Sequence, residues 1–115
     1  MTSFPLVKEG PLREALDELE QLVQTDGLTA NGLETRVPEW IASHGHQGAN
    51  TLLVAVLEVD GPPTLRCMAL RGLARIALAE GRRSSARVYF MQAREEVAGD
   101  PVALCELIGD MLDAL

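Results

Sequence analysis

The chain has 115 residues, 47% of them hydrophobic, 23% charged and 3% aromatic, with a formal net charge of -7 at pH 7. One domain with one core is expected at this length, and the supply of Leu, Ala and Val excludes a disordered segment. One Trp, one Tyr and two Phe cannot build the stacking platform of a single-strand nucleic-acid binder, and the acidic total disfavours a groove that tracks phosphates.

The opening stretch, MTSFPLVKEG, is a short apolar patch broken by Pro5, Lys8 and Glu9, without the charged, apolar and small-residue regions of a secretory signal. No run approaches the roughly 20 apolar residues of a membrane span. Cys67 and Cys105 have neither CxxC spacing nor partners for a disulfide framework, so both read as reduced core thiols. A cytoplasmic location is the expectation.

Along the chain, Leu12, Ala15, Leu16, Leu19, Leu22 and Val23 fall on one helical face, and Thr25-Asp26-Gly27 stops the pattern, which predicts a helix over 11–25. Asn31 as a cap, then Leu33, Val37, Trp40 and Ile41, predict a second helix ending at Ser43–Gly45, with a kink or a late start at Pro38. The run Leu52-Leu53-Val54-Ala55-Val56-Leu57 has strand character by periodicity alone, but no partner strand exists, and a buried helix over 47–58 is the better reading. After Gly61-Pro62-Pro63, two apolar sides alternate from Leu65 to Leu78, predicting a central helix over 64–80 that Gly81 ends. Ala86, Phe90, Ala93 and Val97 define a helix over 83–97, which Ser84 and Ser85 would cap. Leu104, Leu107, Ile108, Met111, Leu112 and Leu115 stripe a last helix. The sum is an all-α fold of about six helices with no sheet.

The spacing of Ala49, Leu53 and Val56 recurs 37 residues later in Ala86, Phe90 and Ala93, each set following a glycine-marked turn. Helix–turn–helix units repeating at this scale signal an α-solenoid of antiparallel helix pairs. The second unit resembles a tetratricopeptide repeat: Leu70, Leu73, Ala74, Ala77, Gly81, Ala86, Phe90 and Ala93 occupy that family's apolar and small positions. Pro101 comes three residues after the family's closing proline, and the first unit carries Pro38 inside its first helix. The expected organisation is one domain over 1–115: an N-terminal helix over 11–25, a degenerate repeat over 30–66, a repeat over 67–101 and a capping helix over 102–115.

A narrower resemblance rests on Glu39-Trp40-Ile41 followed by Gly45 and Ala49, and on Asp100-Pro101 followed by Gly109, Met111 and Leu115. These stretches are similar to motifs of the small repeat-type cochaperones of the type III secretion needle subunit. A second tryptophan of that family's central helix is absent, Cys67 lying near its place. The resemblance implies a cytoplasmic chaperone that holds an aggregation-prone needle-type subunit in a groove, together with a second small chaperone.

The charge is unevenly spread. Residues 1–60 carry three basic and ten acidic side chains, residues 61–94 seven arginines and one glutamate, and residues 95–115 six acids and no base. The arginines of the central block have two readings: ion pairs with the acidic ends of the same molecule, or steering of an acidic partner. In a tetratricopeptide-type unit Met68, Arg71, Arg75 and Leu78 line the concave groove, a mixture that suits an amphipathic client helix. Trp40 and the C-terminal stripe of Leu104, Ile108, Met111 and Leu112 complete the candidate partner-binding set.

No GxSxG, Walker-type or GxGxxG stretch occurs, so no catalytic or cofactor-binding residues are assigned and no enzyme activity is expected. His44 and His46 form a His-x-His pair in a glycine-rich turn with no further ligand cluster beside it, and read as loop histidines rather than a metal site. The leading expectation is a protein-binding chaperone. The alternatives are a tetratricopeptide-like adaptor or scaffold, including a homodimer through the C-terminal helix, and a nucleic-acid-binding regulatory helix bundle using the arginine block. No membrane partner is expected.

Overall fold

A computed structural model describes the backbone of residues 10–25, 27–59 and 61–114. The stretch before Gly10 and Leu115, the last member of the C-terminal stripe, lie outside them. Five helices and no strand make up the described residues: α1 (Pro11–Gln24), α2 (Ala30–Glu58), α3 (Pro63–Ala79), α4 (Arg83–Glu96) and α5 (Pro101–Ala114). No helix among the described residues is long and apolar enough to cross a membrane.

The element boundaries follow local chemistry. The Thr29 hydroxyl accepts from the Gly32 N–H at 3.0 Å, so Thr29, not Asn31, caps α2. Asp100 Oδ1 accepts from the N–H groups of Val102 and Ala103, both at 3.2 Å, with Pro101 in the first helical position of α5. Gly81, at φ 78°, closes α3: the Gly81 N–H reaches the Leu78 carbonyl and the Arg82 N–H the Ala77 carbonyl, the paired bonds of a Schellman stop. The expected serine cap on α4 is absent. Arg82 occupies the cap position and makes no side-chain bond to the helix end.

The segment expected as two helices runs as two helical stretches that meet directly at a kink in α2, whose non-helical backbone is at Gly45 (φ 74°, ψ 177°), the expected turn shortened to that one residue. That conformation is nearly exclusive to glycine. Three residues on, a Cβ on Gly48 would stand 2.4 Å from the Cβ of His44, so the corner needs both glycines. Pro38 produces no break. Its ring lies on an exposed turn beside exposed Glu34, where water can satisfy the Glu34 carbonyl that loses its donor.

Helix α3 lies at the centre, with eleven of its 17 residues buried. It packs against α2, α4 and α5, whereas α1 packs on α2 alone. Gly72 marks the tightest approach: a Cβ there would stand 2.9 Å from Leu53 Cδ1 and 3.6 Å from Val37 Cγ2, so both stretches of α2 close on α3 at this point. Helix α5 touches α3 and α4, and among its described side chains only Leu107 is buried.

Substituting Gly45→Ala should cost about 1–3 kcal/mol through backbone strain, and Gly48→Ala a similar amount of about 1–3 kcal/mol through the clash with His44. Urea denaturation followed by helical circular dichroism measures both.

Candidate functional site

The first stretch of α2, the middle of α3 and the start of α5 enclose two hollows that share Met68. One, of about 290 Å³, lies between Val37, Pro38 and Ile41 of α2 and Met68, Gly72 and Arg75 of α3, with Glu34 at its rim. The other, of about 210 Å³, continues past Met68 and Arg71 to Val102, Ala103 and Glu106 of α5. Together they form a groove with an apolar floor, mostly buried, along one side of α3.

Of the residues proposed for partner binding, the structure brings Met68, Arg71 and Arg75 together in this groove. Trp40 lies elsewhere, half-buried in a separate hollow of about 190 Å³ against Ala15, Leu19 and Leu22 of α1. The Nε of Arg36 is buried in the same region and has no hydrogen-bond partner among the described residues. Leu78 is half-buried and borders none of these hollows. Leu104 and Met111 pack partly against the core, while Ile108 and Leu112 face outward.

The arginines of α3 are engaged within the molecule. Arg71 Nε donates to Asp110 Oδ2 at 3.2 Å and Arg75 Nη2 to Asp110 Oδ1 at 2.5 Å, so one carboxylate of α5 joins two consecutive turns of α3. Arg71 is only 8% exposed, and a guanidinium so placed needs a carboxylate to offset its lost hydration. Arg66 Nε donates to Glu96 Oε2 at 2.9 Å, and its Nη1 to the Leu57 carbonyl at 2.9 Å. Arg66 thus ties α3 to α4 and also meets the last carbonyls of α2, where a cation is favoured. Arg82 pairs with Glu80 at the surface. The three remaining arginines of the central block, Arg83, Arg87 and Arg94 of α4, are exposed and make no ion pair among the described residues.

Asp110 is the residue that sequence reasoning missed. It stands three residues after buried Leu107, on the inner flank of an otherwise apolar stripe. The groove wall of Glu34, Val37, Pro38 and Ile41 was also unassigned, because periodicity within α2 does not reveal which neighbour a face meets. The two cysteines differ: Cys67 is buried and Cys105 exposed, so the expectation of two core thiols is corrected for Cys105, which lies on the outer side of α5. Burial pushes the Cys67 thiol up, the nearby Arg71 acting in the opposite direction. His44 and His46 flank the Gly45 break, and no group of three metal-ligating side chains forms among the described residues.

Asp110→Ala, by leaving Arg71 buried and unpaired, should destabilise the docked α5 by about 2–4 kcal/mol, read as lost amide-exchange protection over residues 101–114. A maleimide probe at pH 8 should label Cys105 rapidly and Cys67 only at the rate at which the core opens, because the raised Cys67 thiol lacks both access and thiolate. No protein-family model matches the chain, and no curated protein or solved structure matches it.

Proposed function

We propose that the chain is a helix-binding chaperone whose groove between α2, α3 and α5 sequesters an amphipathic segment of a protein client. The observation that carries this reading is the groove itself, with its apolar floor of Met68, Gly72 and Val37 and polar rim of Glu34, Arg75 and Glu106. Apolar hollows with a few polar groups at the edge suit an amphipathic helix laid lengthwise.

The order of packing supports a short solenoid of tetratricopeptide-like units. α1 meets only α2, α3 joins α2 to α4, and α5 meets only the two helices before it, the near-neighbour pattern of stacked repeats. The residues that would line a concave face come from the first stretch of α2, from α3 and from α5, alternating with the second stretch of α2 and with α4. Combined with the resemblance of the Glu39-Trp40-Ile41 and Asp100-Pro101 regions to the needle-subunit cochaperones, this makes a type III secretion needle-type subunit the proposed client. Burial of the client's assembly helix prevents premature polymerisation, and delivery to the export machinery releases it. The setting for this exchange is the cytoplasm.

The pairing of Arg71 and Arg75 with Asp110 changes how the client is held. These two arginines are committed to α5, so client affinity comes mainly from the apolar floor and only secondarily from charge. The same commitment, with Arg66 and Arg82 also paired, leaves Arg83, Arg87 and Arg94 as the arginines of the block in no ion pair among the described residues, too few for an extended phosphate-tracking surface on an acidic chain.

Purification of the tagged chain from its own host, with mass spectrometry of what co-elutes, should recover a small helical secretion substrate in a stoichiometric complex. Ile41→Gln combined with Met68→Gln should lower client retention by about tenfold while preserving helicity, an effect of about 1.4 kcal/mol. Retention unaffected by the pair removes the groove as the client site.

A further inference from the structure

Helix α5 closes one side of the groove, yet it is the least anchored of the helices that surround α3. Among its described side chains only Leu107 is buried, while Ala103, Leu104 and Met111 pack partly against the core. By comparison, α4 sets Ala86, Phe90 and Ala93 into the core, and α2 includes Leu33, Val37, Leu52, Leu53 and Val56. The hollow of about 210 Å³ between α5 and α3 leaves the inner side of α5 short of the contacts that a close-packed helix makes. Asp110 supplies the remaining tie, to Arg71 and Arg75.

The chain leading into α5 permits the helix to leave as a unit. Ala98 and Gly99 are exposed, and a Cβ on Gly99 would meet no atom within 4 Å. The capping carboxylate of Asp100 bonds to N–H groups of α5 itself, so the cap travels with the helix. Arg71 regains water when α5 lifts, so breaking its pair in this way strands no charge in the core. A 14-residue helix is marginal in water by itself, which makes release and fraying of α5 one event.

We propose that α5 is a hinged wall of the groove, which opens about Ala98 and Gly99 while α2, α3 and α4 stay folded, and that Cys67 becomes accessible through this opening. Cys67 lies one turn before Arg71 on α3 and shares the hollow with Asp100, Val102, Ala103 and Glu106, so α5 and its cap are its cover on that side. A segment with few buried side chains opens at lower free energy than the core it covers. Burial is the main cause that holds the Cys67 thiol up, opposed by Arg71 and reinforced by Glu96, Asp110 and Glu106. Opening removes the burial and the two α5 carboxylates, so the thiol gains reactivity together with access. That the opening admits a client rests on the reading of the groove as a client site; the opening itself is a property of the chain alone.

Alkylation of Cys67 by iodoacetamide in the full chain, read by mass spectrometry across about 0–2 M urea with no client present, tests the proposal. Labelling should rise with urea at about a third or less of the slope of global unfolding, because release of α5 exposes only a small part of the buried surface. Amide exchange should be about 100-fold or more faster over 101–114 than over 63–79. Leu107→Ala and Asp110→Asn should each speed Cys67 labelling by about tenfold. Leu19→Ala, which loosens α1 where it packs on α2, should lower the unfolding midpoint and leave Cys67 labelling within about twofold. Labelling that follows the slope of global unfolding, or that Leu19→Ala speeds as much as Leu107→Ala does, overturns the proposal. Exchange over 101–114 as slow as over α3 overturns it too. Because no client is present, failure of the opening and failure of the client reading are separate results.

Discussion

Helix α3 has almost no side to give to water, and the rest of the structure is arranged around that constraint. Leu65, Cys67, Met68, Ala69, Leu70, Leu73, Ala74, Ile76 and Ala77 are buried together with Arg71 and Gly72. An element apolar nearly all round must be covered by neighbours on several sides, and α2, α4 and α5 provide them. Each fully buried Leu or Ile side chain contributes about 1.5–3 kcal/mol, and Leu73 and Ile76 share one core cluster with Leu52, Leu53 and Phe90. Gly72 marks the close approach: a Cβ there would stand 2.9 Å from Leu53 Cδ1, so a larger residue would make the end of the Leu53 side chain shift, while Val37 at 3.6 Å would be in ordinary contact.

Arg71 is the exception within that burial, and its solution explains the charge pattern of the chain. The basic centre and the acidic C-terminal block join through long-range ties, Arg66 to Glu96 and Arg71 with Arg75 to Asp110, spanning 30, 39 and 35 residues of sequence. Their weights differ. Arg75 is about half exposed, and a pair of that kind is worth little. Arg71 is buried, so the main energetic content of the cluster is avoidance of an unpaired guanidinium beneath α5. Helix α5, which buries Leu107 and little else, takes its register from a charge it cannot leave unsatisfied. Segregated charge in the sequence therefore acts as a set of crosslinks between helices.

Much of the helical pattern was legible from periodicity and from glycine and proline punctuation, as the close agreement for α3 and α4 shows. The departures have local causes. Gly45 was legible as the stop between two helices, but not the tightness of the junction, because the second helix starts at once with Gly48 packed against His44. Pro38 does not break the helix as its sequence position suggests, since a proline on an exposed turn leaves only a solvated carbonyl behind. The groove was half legible: Met68, Arg71 and Arg75 share a face of one helix and so emerge from spacing, whereas Pro38, Ile41 and Asp110 join them only through packing between helices. Trp40 illustrates the same limit in reverse. A lone large aromatic invites a binding role, yet it faces α1, and spacing within its own helix cannot say so.

The two ends of the molecule are unlike for a reason that connects these points. Helix α1 is amphipathic, with Leu16 and Leu19 buried and carboxylates outward, so it covers its side of α2 and presents a polar face. Helix α5 is apolar on more than one side: Leu107 faces the core, Val102 and Ala103 the groove, and Ile108 and Leu112 face solvent. Burial of Leu107 and neutralisation of Arg71 need only the inner flank of that helix, and neither requires an apolar residue at positions 108 or 112. A helix whose only task was to cap α3 and α4 would be more stable in solution with polar residues at both positions. The outer apolar side of α5 is therefore not required by the packing of one protomer, and Arg83, Arg87 and Arg94 of the adjoining α4 are likewise exposed and in no ion pair among the described residues.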